Sequence, residues 1–61
     1  MEQLINKTEE QATEEILSAI ILIGGGDVTT EQRMVRAALI EVYERREGSA
    51  EAETLMDAIG M

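Results

Sequence analysis

Proline is absent from this chain, so glycine alone is left to interrupt the backbone pattern. The five glycines stand as a triplet, Gly24–Gly26, and singly at Gly48 and Gly60. They divide the sequence into three stretches, each repeating its apolar residues at helical spacing. That punctuation predicts an all-α fold: a helical hairpin of two longer helices plus a short docked C-terminal helix.

The first stretch predicts a helix over residues 8–23, behind an N-terminal arm at residues 1–7 where Leu4 and Ile5 could add a turn. Thr8 and Gln11 fit a capping box, and Glu9 and Glu10 place negative charge at the positive end of the helix dipole. Ala12, Ile16, Ala19, Ile20 and Ile23 share one face, whereas Leu17, Ile21 and Leu22 fall off it. An end that is apolar nearly all round needs cover on several sides. Ile16, Leu17, Ile20, Ile21, Leu22 and Ile23 are therefore the candidate dimer interface.

The second helix is expected over residues 29–47, after a glycine-rich loop at 24–28. Asp27, Thr29 and Thr30 can each cap it. Val35, Ala38, Leu39 and Val42 form its core stripe, with Met34 and Tyr43 at the edges. Glu41 and Arg45 make an i,i+4 pair in the favoured order. Arg33, Arg36, Ile40, Glu44 and Glu47 fall on the side away from the stripe. An aliphatic residue ringed by charges there is a candidate partner-binding surface. The same arginines could instead answer acidic residues of helix 1. Gly48 ends this helix, and Ser49 is expected to cap a third one over residues 49–59. Ala52, Leu55, Met56 and Ile59 give that helix a clean apolar stripe.

Size bears on how such a fold is completed. A 61-residue chain makes one domain at most, and a domain this small buries only about 60% of its unfolded surface. There is no cysteine for disulfides, and no histidine or cysteine for a structural zinc site. Self-association remains, and a twofold homodimeric helical bundle is the expected form.

Charge narrows the functional classes. Thirteen acids against five bases leave the chain at −8, which disfavours nucleic-acid phosphate and anionic membranes as partners. The imbalance is uneven. Residues 29–48 hold four acids and four bases, so the rest of the chain carries the whole −8. A helix-turn-helix reading would make helix 3 the reader, and "SAEAETLMDAIG" has three acids and no base. Direct DNA binding is the least favoured of the regulatory readings. No basic and apolar leader opens the chain, and the apolar run Ala19–Ile23 is far short of the roughly 20 residues that span a bilayer. With Met1 in place, the sequence reads as a complete small cytoplasmic protein.

The stretch "IILIGGGDVTT" resembles a strand opening onto a phosphate loop, but the chemistry fails. Thr29 stands where a dinucleotide fingerprint needs its third glycine, and no lysine follows Lys7 to serve a P-loop. The triplet is read as a loose reversal, with a hinge that lets helix 1 exchange between protomers as its alternative. Asp27–Glu31 lacks the alternating ligands of a calcium loop, and no Glu is followed by His at di-iron spacing. Ser18 and Ser49 lack the Asp-Ser-Leu context of a phosphopantetheine carrier. No catalytic residue, cofactor or metal site is expected.

What remains is a small acidic protein–protein interaction module. It would act as a regulatory or accessory factor, of bacterial, plasmid or phage type, that binds and modulates another macromolecule. The alternative is an acidic nucleic-acid mimic that occupies the groove of a DNA- or RNA-binding protein. Its phosphate-like charges would be Glu9, Glu10, Glu14, Glu15, Glu51, Glu53 and Asp57.

Overall fold

A computed structural model describes residues 2–61; Met1 of the expected arm lies outside the described residues. The described residues are all-α, with four helices: α1 (Glu2–Glu9), α2 (Thr13–Ile23), α3 (Thr30–Glu47) and α4 (Ser49–Ile59). None is long and apolar enough to cross a membrane.

The first departure from the expectation is at the N-terminus. Residues of the expected arm form α1, and the helix expected over 8–23 is broken at Glu10–Ala12. Glu2 in its first turn and Lys7 in its last complement the dipole of α1. Thr8 does not cap anything. It is buried in the last turn of α1, where its hydroxyl donates to the Leu4 carbonyl at 2.7 Å. The helix that follows starts from Ala12, which is extended (ψ 150) and offers no side-chain cap. Glu14 and Glu15, rather than Glu9 and Glu10, supply the negative first turn of α2.

Gly24 ends α2 with φ 74 and ψ −175, a region nearly closed to residues with a Cβ, while its N–H donates to the Ile20 carbonyl at 2.9 Å. Gly25 answers a different demand. A Cβ there would overlap the carbonyl oxygen of Ile59, because the end of α4 is packed directly on this loop. The triplet is thus a close-packed reversal, tighter than the loose turn read from sequence.

Thr29 and Gln32 close a reciprocal capping box on α3, each bond 3.1 Å long. Gly48 separates α3 from α4 and itself occupies the N-cap position of α4. Ser49 is the first helical residue and makes no cap bond, which corrects its expected role. At the far end of α4, Met61 N–H reaches the Met56 carbonyl and Gly60 N–H the Asp57 carbonyl, a Schellman closure.

Helix α3 is the hub: α1, α2 and α4 each pack against it. Ile16 and Ile20 of α2 meet Leu39, Val42 and Tyr43 of α3 and Ala52 and Leu55 of α4. Ile5, Leu17, Ala19, Ile23, Ile40, Met56 and Ile59 pack around that centre. Ile16, Ile20 and Val42 are the largest fully buried side chains, each contributing about 1.5–3 kcal/mol of burial. The core stripe of α4 is the one expected, with Ala52 and Leu55 buried and Met56 and Ile59 half-buried. The stripe of α3 is shifted. Arg36 and Tyr43 are buried and Ile40 is half-buried, whereas Met34 and Val35 are exposed. The expected stripe counted Val35 as core because it is aliphatic, but it keeps 37% of its surface exposed.

Candidate interaction surface

Three arginines of α3 are used inside the protein. Arg36 is 7% exposed, and its Nη1 donates to the Gly24 carbonyl at 2.7 Å. The guanidinium thereby satisfies an end-of-helix carbonyl where the α2 dipole is negative. Arg46 binds carbonyls at the end of α1 and in the break before α2. Its Nη1 donates to the Gln11 carbonyl at 2.7 Å and the Thr13 Oγ1 at 3.2 Å. Its Nη2 donates to the Glu9 carbonyl at 2.8 Å. Arg45 pairs with Glu9 at 3.0 Å and Glu41 at 3.2 Å. These contacts join the α1–α2 break to the end of α3 and the C-terminal end of α2 to Arg36.

Of the expected partner-binding set, Arg36 is buried and Ile40 is partly buried against the core. Arg33, Glu44 and Glu47 remain exposed. The reason lies in the arginine itself: a long apolar stem with a charged tip can share a core face when a carbonyl waits at its end. Arg36 stands three residues before Leu39 and seven before Tyr43. That spacing was the available sign of its inward face.

The candidate dimer set divides in the same way. Ile16 and Ile20 are fully buried within the single chain, and Leu17 and Ile23 are half-buried. Ile21 and Leu22 remain outside, 57% and 88% exposed. Three more large apolar side chains are exposed, namely Met34, Val35 and Met61. The topology carries all five to one end of the molecule. Ile21 and Leu22 close α2, Met34 and Val35 lie in the opening turns of α3, and the Gly25–Ile59 contact brings the C-terminal Met61 to the loop between them. Isolated exposed apolar residues need no explanation, whereas several near one end are candidates for a contact surface. Asp27, Glu31 and Arg33 are exposed in the same region of the sequence.

The α3 stripe states the point most sharply. Val35 and Val42 are seven residues apart on one helix face, yet Val42 is 1% exposed and Val35 37%. The apolar face is fully covered at Val42 and only partly covered at Val35. Among the described residues, no pocket and no group of three potential metal ligands is formed. No protein-family model, curated protein or solved structure matches this chain.

Proposed function

We propose that this protein is a helical interaction module that acts by binding protein through its apolar end. The helical pair α2–α3 would be completed as a homodimeric bundle there, and the dimer would act as a regulatory or accessory factor on another macromolecule. The observation that carries this reading is the exposure of Ile21 and Leu22 at the end of α2, 57% and 88%. A second copy suits the end because Arg33 of one protomer can face Asp27 or Glu31 of its mate across a twofold axis.

Leu22→Asp tests the reading in sedimentation equilibrium. Leu22 is almost wholly outside the core, so the variant should fold as the wild type does while losing self-association. Association unchanged by Leu22→Asp would sink the proposal.

One observation favours the acidic-mimic reading. Ion pairs among the described residues engage only Glu9 and Glu41 of the carboxylates, so the acids of α2 and α4 are left facing solvent. Salt titration of partner binding separates the two: a steep loss of affinity with salt supports the mimic, and a flat response supports apolar docking.

A further inference from the structure

Nothing in the sequence between α1 and α2 explains why the helix breaks there. The stretch "TEEQATEE" holds no glycine or proline, and most of its residues are good helix formers. The N-cap residue, Ala12, is among the poorest caps. The break is held from outside. In a continuous helix the Glu9 carbonyl would accept from Thr13 N–H, and the Gln11 carbonyl from Glu15 N–H. Those two carbonyls are the ones that Arg46 occupies, at 2.8 and 2.7 Å. The arginine competes directly with the bonds that would straighten the helix.

Straightening would carry α1 away from its own α3. A continuous helix over residues 2–23 would be about 33 Å long, and the folded chain extends only 26 Å along its longest axis. The displaced segment would expose Leu4, Ile5 and Thr8, and would uncover the part of α3 on which α1 packs. Substantial packing of α1 is with α3 alone. An identical α1 from another copy can therefore fill the vacated seat with the same side chains. We infer that the chain exchanges α1 between two copies through a straightened α1–α2 helix, and that Arg46 is the clasp that restrains the exchange. The surface involved is α1 and its seat on α3, separate from the apolar end at Leu22.

Cross-link topology tests this in the full chain. Glu9 and Arg45 side chains lie 3.0 Å apart, and the chain has no native cysteine. Glu9→Cys with Arg45→Cys, treated with a short bis-maleimide, joins residues within one chain when α1 is home and between chains when it is exchanged. After refolding at high concentration, adding Arg46→Gln should make the interchain product the major species. Adding Thr13→Pro as well should return it to the intrachain product. Proline suits the first helical position after an extended Ala12 and forbids the Thr13–Glu9 bond of the straight helix. A dimer formed at the apolar end alone gives intrachain product throughout. The inference is overturned if Arg46→Gln leaves the intrachain product dominant, or if Thr13→Pro fails to suppress interchain linkage.

Discussion

The two reversals that flank α2 are built in opposite ways. At its C-terminal end, the reversal is written into the residues themselves: Gly24 takes a conformation that other residues avoid, and Gly25 admits the backbone of α4. At its N-terminal end, the residues of the break include no glycine or proline, and the side chain of Arg46, 33 to 37 positions away in sequence, binds the carbonyls there. The first turn has a glycine whose positive φ encodes it locally, with the Arg36 guanidinium added at its carbonyl. The second has no such residue and is contacted by Arg46 of α3. A small helical chain can thus carry one turn that is local and one that depends on its tertiary structure, and only the second can be undone by a single distant substitution.

Substitutions can break this contrast. The largest effect is expected from Gly25→Ala, which must displace the Ile59–Gly60 backbone; chemical denaturation should show a loss of about 1–3 kcal/mol. Gly26→Ala is its internal control. Nothing lies near a Cβ at Gly26, so stability should stay within about 0.5 kcal/mol. A comparable loss at both positions would remove the close-approach explanation.

Arg46→Gln should come next, at about 1–2 kcal/mol, because it removes charge-assisted bonds that are partly open to water. Hydrogen exchange should place the loosening in α1, with the α3–α4 amides little changed. Arg33→Gln should be nearly silent in the same assay, since Arg33 is exposed and makes no hydrogen bond or ion pair among the described residues.

The smallest effect sharpens the comparison from the other side. Ala12→Ser would give α2 the local start it lacks, with Glu15 at the third helical position to complete a capping box. A gain of about 0.5–1 kcal/mol in thermal or denaturant unfolding is expected. No gain would mean that Ala12 does not sit at a free N-cap.

The same residues show how far the sequence could be read. Thr29, one of three candidate caps of α3, closes a capping box with Gln32, and the α4 stripe falls where its spacing places it. Thr8 and Gln11 carry the same chemical pattern and form none, because the Thr8 hydroxyl finds the Leu4 carbonyl inside its own helix. A capping pattern gives the means of starting a helix and says nothing about a competing acceptor four residues back in the chain. Val35 and Arg36 show the other limit. Periodicity assigns a face, but whether a face is covered depends on where the neighbouring helix ends, and an arginine counts as polar until its carbonyl is known. Of the candidate contact residues, Ile21 and Leu22 were legible as surplus apolar positions. Met34, Val35 and Met61 joined them only through the topology.

The Ala12 13Cα chemical shift in the wild type and in Arg46→Gln is the most direct test of the claim that a distant side chain holds the α1–α2 break. The wild type should report an extended Ala12, and the variant a shift toward the helical value. An extended Ala12 in both proteins would contradict the claim, and would mean that residues 10–12 encode the break themselves.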